Sequence, residues 1–326
     1  MVRDASLLLA LVQLVDAIPL PPPPRAGRGH PKVYSDRLFL KALVIMIVRH
    51  LATVGALLAI LEQPTPEMQR LRALLTEHGR YPCRRTFERR LNAIPATLPA
   101  QIGCLGRHLV ALIRPFDHGG RAAALDSTIL PARGGVWHQK HREAGIVPHT
   151  SIDTEAHWTK SGWHGWVYGW KLHLAAVVAA VWIPLAAVLT PANAADNEQA
   201  PALIREVPPE VRYVLGDVHY NDPELRQLCD DADQILVTTR RGAYPHTDGG
   251  VAVRRVFHKL RSLAMENFNE HFKGIFGVHG AVPTKGLRNT QRFALGAILV
   301  YQLALLYRFE HGLDLNVGLK PFLQAA

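Results

Sequence analysis

The apolar positions of this chain keep a helical period up to about Ile113 and change period near Gly119, and that change divides the sequence. In the first part, "SDRLFLKALVIMIVRHLATVGALLAILEQ" opens on a Ser/Asp cap and runs apolar at helical spacing. "TPEMQRLRALLTEHG" then carries a Thr cap, a Pro in the first turn and a terminating Gly. As a helix, "YPCRRTFERRLNAIP" would place Cys83, Phe87 and Leu91 on a buried face and leave Arg84, Arg85, Glu88 and Arg89 mostly outward. A short Arg-rich helix behind a Gly-ended one has the shape of a helix-turn-helix reader; the competing reading is a solvated charged helix. Upstream, "MVRDASLLLALVQLVDAIPL" reads as a short amphipathic helix rather than a signal peptide. Asp4 precedes its apolar run, and Gln13 and Asp16 interrupt it. The Pro/Gly/Arg stretch that follows, "PLPPPPRAGRGHPK", reads as a linker that cannot be helical.

Beyond Gly119, "RAAALDSTIL" reads as a buried strand, residues 134–165 as a Gly/His/Trp-rich loop, and "GWKLHLAAVV" with "WIPLAAVLT" as a hairpin. "PANAADNEQAPALIREV" starts a helix capped by Asn193 or Asp196. "EVRYVLGD" is a strand ending at an acid, "NDPELRQLCDDA" a helix and "QILVTTR" a further strand. From about Val256 to Glu310 the pattern is helical with a break at 283–286. Three strands followed by helix–strand alternation predict an α/β fold with a ribonuclease-H-like mixed sheet flanked by helices, preceded by an all-helical domain. The expected divisions are an N-terminal helix and linker (1–34), a helical DNA-binding domain (35–118) that carries the Arg-rich helix, the sheet-bearing domain (119–310) and a tail (311–326). The apolar runs 172–189 and 293–307 raise the question of a membrane. The first is interrupted by "WIP" and reads as two strands; the second is short, contains Gln302 and reads as a buried helix, so no membrane partner is expected.

Composition narrows the partners. Lys and Arg number 37 against 27 Asp and Glu, a net charge of +10 with a pI near 9.8, so the molecule attracts polyanions, nucleic acid before an anionic membrane surface. The three cysteines stand far apart without a CxxC pair, which argues against a disulfide framework and a zinc-finger module and fits a reducing cytoplasm.

The acids at strand positions carry the candidate chemistry, because an uncompensated charge in a buried strand costs several kcal/mol. Asp126 lies inside the first strand and Asp217 at the end of "YVLGD". The first strand of a mixed sheet is central and the fourth can be its neighbour, so the two could face one another. Paired aspartates repel unless a cation lies between them, and an oxygen-only donor set favours Mg²⁺ or Mn²⁺ over Zn²⁺. A helical carboxylate could complete a site for two metal ions, and "MENFNEHFKGIF" offers Glu266, with Glu270 one turn beyond as its rival. Asp196 and Asp222 read as a helix cap and a turn residue, and Asp153 sits in the Trp-rich loop without an evident partner.

The blocks "LDST" at Asp126, "GWKLH" (169–173), "IPLAAVLTPANAADNE" (183–198), "LGDVHYND" (215–222) and "RSLAMENFNEHFKGIF" (261–276) together resemble a bacterial insertion-sequence transposase of the DDE superfamily, the class with a retroviral-integrase-like core. The resemblance implies that Asp126, Asp217 and Glu266 are the catalytic, metal-binding carboxylates, holding two Mg²⁺ ions with Mn²⁺ able to substitute. It implies that Lys273 and Arg261 match the lysine and arginine of the family's Tyr-Arg-Glu-Lys helix signature and clamp phosphates. Arg261 stands one residue further from the glutamate than the usual spacing, and His258 or Phe257 stands where the tyrosine is expected. The spacing leaves no room for the large β insertion some relatives carry before the glutamate.

Around these acids, Lys171, His219 and Tyr220 join Arg84, Arg85 and Arg89 as candidate DNA contacts, and Arg240 and Arg241 suit phosphate contact or plain exposure. His138, His141, His149, His157 and His164 are too irregularly spaced for a zinc site. Trp137, Trp158, Trp163, Trp166 and Trp170, interleaved with Lys140, Arg142 and Lys160, suit stacking on a splayed DNA end; a packed loop is the alternative. The implied function is a transposase that binds the terminal inverted repeats and a target, both double-stranded DNA, and performs metal-dependent cleavage and strand transfer. It would act as a homodimer or higher synaptic assembly in the cytoplasm, on the nucleoid. A nuclease without strand transfer and a non-catalytic DNA-binding derivative are the competing classes.

Overall fold

The computed structural model describes residues 6–22, 33–116, 121–162, 165–178, 181–238, 248–315 and 318–325, of which 248–254 by their backbone alone. Most of the Pro/Gly/Arg linker, Trp163, His164, Arg240 and Arg241 lie outside the described residues. The chain forms two compact units, residues 1–105 with 291–326, and residues 106–290.

The first unit is helical. Helix α1 (Leu7–Leu14) is capped by Ser6, and α2 (Asp36–Val48) by Ser35, whose side chain accepts from the Leu38 amide. The long apolar run does not continue as one helix: His50 takes a left-handed conformation (φ 52°), and α3 (Val54–Leu61) starts afresh from a Thr53 cap. Helix α4 (Pro66–Leu74) has the expected Thr65 cap and Pro at its first turn. Helix α5 (Arg84–Ala93) buries Phe87 and Leu91. Cys83 differs from the expectation: it is the exposed residue at the helix start, because the helix begins one residue after it. Phe87 packs edge-on against Phe39 at 5.7 Å, and Arg90 lies over the Phe39 ring at 4.6 Å, which leaves Arg84, Arg85 and Arg89 on the exposed face. Helix α6 (Leu98–Ile113) follows.

The second unit is built on one six-stranded mixed sheet: β1 (Ala122–Pro131), β2 (His157–Ser161), β3 (Gly165–Val178), β4 (Trp182–Pro191), β5 (Tyr213–Gly216) and β6 (Ile235–Thr238). The central β1 runs antiparallel to β3 and parallel to β5; β5 runs parallel to β6, and β4 pairs the far edge of β3. This is the ribonuclease-H-like arrangement. β2 is a strand inside the segment expected to be loop; its residues are mostly half-buried and it pairs with the N-terminal end of β3. The short α7 (Gln139–Glu143) lies in the same segment. Helices α8 (Asp196–Ile204), α9 (Pro223–Asp231) and α10 (Asp248–Phe276) connect or cover the strands.

Helix α11 (Leu287–Glu310) starts beyond the break, and α12 (Leu319–Gln324) closes the chain. Residues 291–310 belong to the helical unit rather than to the sheet unit expected to extend to 310. Gly296 faces Leu43 and Ile47, and Gln302 donates to the Ile102 carbonyl at 2.9 Å. Helix α11 is long and apolar enough to cross a bilayer, but 83% of its apolar window is buried within the protein, the condition of a core helix.

Candidate active site

Strand pairing aligns the two aspartates. β1 and β5 run parallel with Ala124 opposite Leu215, so continuing two residues along each chain brings Asp126 level with Asp217 on the same face. Neighbouring strands lie about 4.8 Å apart. β5 ends at Gly216, where a Cβ would sit 2.7 Å from the Tyr220 Cβ; only glycine allows the chain to fold Tyr220 back beneath the strand end. Asp217 then caps the turn Val218–Tyr220, accepting from the His219 amide at 2.8 Å. The packing of Tyr220 and the cap together fix Asp217 at the strand end.

Asp126 is held mainly from α10. Asn269 Nδ2 donates to its Oδ2 at 3.1 Å, and Arg261 Nη1 lies 3.7 Å from its Oδ1. Burial pushes the Asp126 carboxyl up to about 6; the Arg261 charge and the Ser127 amide oppose the rise, and the Asp217 and Asp196 charges add to it. The Lys273 amine is lowered by its burial, with the Glu270 and Asp126 charges opposing.

Glu266 is exposed and makes no hydrogen bond or ion pair with another described residue. The phase of the helix explains this. Ala264, Met265, Phe268 and Phe272 are buried, and Asn269, three residues after Glu266, occupies the turn that reaches Asp126. Glu270 also points to solvent, 3.6 Å from His279. Among the described residues, no group of three or more His, Cys, Asp or Glu side chains is gathered for a metal ion. Asp126 and Asp217 provide the hard oxygen donors that a divalent cation such as Mg²⁺ takes, so the pair fits such an ion as a two-carboxylate seat. Glu266 does not join them.

Behind Asp126 lies a second polar cluster. Asp196 is the first residue of α8, not a side-chain cap: the residue before the helix is Ala195. Its carboxylate turns onto β3, 3.4 Å from Lys171 Nζ and 3.2 Å from the fully buried His173 Nδ1. Burial raises the Asp196 carboxyl, but His173, Lys171 and the Ser127 hydroxyl outweigh it and bring it to about 2. His173 Nε2 lies 2.9 Å from Thr190 Oγ1.

Two expected DNA contacts are therefore elsewhere. Lys171 is largely buried, donates to the Ala194 carbonyl at 2.9 Å and lies 3.4 Å from the Asp196 carboxylate. Tyr220 is buried with a hydroxyl that lacks a hydrogen-bond partner among the described residues; burial, then the Asp196, Asp126 and Asp217 charges, push that hydroxyl well above its ordinary pKa. His219 is exposed.

The His/Trp segment forms a cleft of about 650 Å³ lined by His138, Gln139, Arg142, Glu143, His157, Trp158 and Trp166. Trp158 donates to the Trp137 carbonyl at 2.8 Å, Trp137 to the Ile146 carbonyl at 2.8 Å, and Arg142 lies 5.2 Å over the Trp137 ring. Trp170 is fully buried core, whereas Trp166 is 68% exposed at the mouth. Asp153, expected to lack a partner, is buried and accepts from the Gly286 amide at 2.8 Å, tying the break before α11 to the segment that leads into β2. Asp222 caps α9 through the Glu224 amide.

Sequence reasoning missed Asn269, the contacts of Asp196 and the partner of Asp153. Only Asn269 carried a signal, its four-residue step from both Met265 and Lys273.

Comparison with curated proteins finds no match. Two solved structures align with the chain. The piggyBac transposase synaptic complex with hairpin DNA does so at 10% identity and a TM-score of 0.40, covering 97% of this chain and 74% of that one. The pre-cleavage Mos1 transpososome does so at 14% identity and a TM-score of 0.19, covering 86% and 80%. The transposase DDE domain family matches residues 117–303, more than half of the sequence and nearly all of the sheet-bearing unit, and this chain belongs to that family.

Proposed function

We propose that the protein is a DNA transposase that binds the terminal inverted repeats of its element, cuts there and joins the freed ends to target DNA. The observation that carries this reading is the parallel register of β1 and β5, which carries Asp126 inside β1 level with Asp217 just past the end of β5, close enough for the charge of one to act on the other. A divalent cation, Mg²⁺ with Mn²⁺ as substitute and two ions by family resemblance, would be held by Asp126 and Asp217 and would supply Lewis-acid stabilisation of the phosphodiester and activation of the attacking oxygen. Glu266 matches the third carboxylate by family resemblance alone, and it would have to turn toward the aspartates to serve as one.

The remaining work falls to this chain's own side chains. Arg261 and Lys273 on α10 place positive charge beside the carboxylates, where a phosphate would sit. Tyr220 and the Gly216 turn exclude water behind Asp217. Exposed Arg84, Arg85 and Arg89 on α5 supply phosphate contacts that position a duplex. Trp166, with Trp158 and His138 in the cleft behind it, offers ring faces to unpaired bases near the cut. The partners are inverted-repeat and target DNA and a second copy of the chain, since two ends must be held together; the site of action is the cytoplasmic nucleoid.

Exposed Glu266 favours one competing reading, a DNA-binding protein without catalysis. Cleavage of DNA carrying the element's own ends with Mg²⁺, alongside Asp126→Asn and Asp217→Asn, separates the two. Both variants are expected to bind the ends and not cut. A wild-type chain that binds and never cuts overturns the catalytic reading.

A further inference from the structure

We infer that Arg261 gates the cation seat: in the DNA-free chain it occupies Asp126, and a DNA phosphate draws it away, so that divalent-cation binding and DNA binding strengthen one another. The inference rests on the proposed function and adds an order of assembly to it.

Arg261 is 14% exposed and lies 3.7 Å from Asp126 Oδ1 through Nη1 alone, a loose, single-point pairing. Its Nε is buried and has no hydrogen-bond partner among the described residues. A guanidinium carries five donors in a planar fork suited to two oxygens of one oxyanion, and this one is undersatisfied. A phosphate diester satisfies the fork better than the single distant carboxylate oxygen does. Asn269 holds Oδ2 of Asp126 at 3.1 Å, so both oxygens of Asp126 face N–H donors. A cation approaching Oδ1 would meet a like charge at contact range, and the cost of that encounter falls on its affinity. Asn269 is neutral and imposes no such charge repulsion. Moving Arg261 onto a phosphate removes the obstacle and leaves Asp126 anchored by Asn269. By reciprocity, whatever factor DNA adds to cation affinity, the cation adds to DNA affinity.

The test measures Mn²⁺ binding to the full chain by calorimetry and by the electron paramagnetic resonance of free Mn²⁺, without DNA and with a duplex carrying the element's end. The chains are wild type, Arg261→Gln, Asn269→Ala and Asp126→Asn. Arg261→Gln is expected to bind Mn²⁺ about tenfold tighter than wild type without DNA, within the roughly 5- to 150-fold range of site–site couplings. DNA is expected to tighten Mn²⁺ binding to wild type by a similar factor and to leave Arg261→Gln nearly unchanged. Arg261→Met carries the same expectation should the Gln variant fold poorly. Equal or weaker Mn²⁺ binding by the Arg261 variants, or an equal DNA gain in wild type and variant, overturns the gate. Mn²⁺ binding that survives Asp126→Asn in both states overturns the seat itself, and with it the proposed chemistry; loss in Asp126→Asn with no effect of Arg261 overturns the gate alone.

Discussion

Replacing Asp126 by Asn should stabilise the folded chain at neutral pH. The Asp126 carboxyl is raised from 3.8 to about 6 by burial, with the Arg261 attraction already included. Between those values the folded state holds a proton that the unfolded chain has released, so stability falls as pH rises through the window and the full penalty is present above about pH 6. The rise corresponds to a ceiling of about 3 kcal/mol. The Asn carbonyl can still accept from Asn269, but its amide then faces the Arg261 side, which takes back part of the gain; a net of roughly 1–2 kcal/mol is expected at pH 7.5. For a unit of this size, that is a rise in Tm of about 2–8 °C. Thermal unfolding by circular dichroism in EDTA at pH 7.5 and pH 4 reads the effect, and the difference between wild type and variant should shrink toward zero at pH 4. A variant that melts lower at pH 7.5, or a difference equal at both pH values, would refute the claim that Asp126 is a destabilised, functionally retained acid.

Other changes test the surroundings. Asp196→Asn should cost roughly 2 kcal/mol at pH 7, because the Asp196 carboxyl is lowered to about 2 and loss of its charge strands the largely buried Lys171; stability that Asp196 contributes above pH 4 is lost as pH falls through 2, so the urea midpoints of the two proteins should converge there. Gly169→Ala should destabilise by about 3 kcal/mol or disrupt the sheet, since a Cβ would stand 2.3 Å from the Leu130 carbonyl oxygen, and a normal urea midpoint would contradict the β1–β3 pairing described. Trp166→Ala should weaken binding of a short single-stranded deoxyoligonucleotide by about 5- to 150-fold, the range for one stacked base, while duplex affinity holds; equal loss on both would make Trp166 a general surface contact.

The sequence made the sheet legible because its signals are local. β1 and the β3/β4 hairpin are continuous apolar runs punctuated by turns, and Asp217 stands at a strand end where a charge is conspicuous. β2 was not legible: "HWTKS" is short and half-buried, and it becomes a strand by pairing with the end of β3. The break between α2 and α3 rests on a left-handed His50, a conformation histidine does not announce as glycine does. The middle of helix α11 is apolar on all sides, so its pattern names no face and does not reveal that Gly296 packs with Leu43 and Ile47. At the site, the pairing of Asp126 and Asp217 follows from strand order, which the sequence suggests. Whether Glu266 or Asn269 reaches Asp126 depends on the rotation of α10, which Phe268 and Phe272 set by burying themselves in tertiary packing. Asp196 looked like a cap because it opens a helix; its partners Lys171 and His173 come from a strand distant in sequence.

The most direct test of the central claim is a strand-joining assay. Pre-cut DNA bearing the element's end and a free 3′-hydroxyl is incubated with target plasmid, Mg²⁺ and either wild type, Asp126→Asn or Asp217→Asn, and joined product is scored on a gel. The account predicts joining by wild type and loss of at least a thousandfold in each aspartate variant with end binding intact, a barrier increase of about 4 kcal/mol. Joining that persists in Asp126→Asn or Asp217→Asn would contradict it.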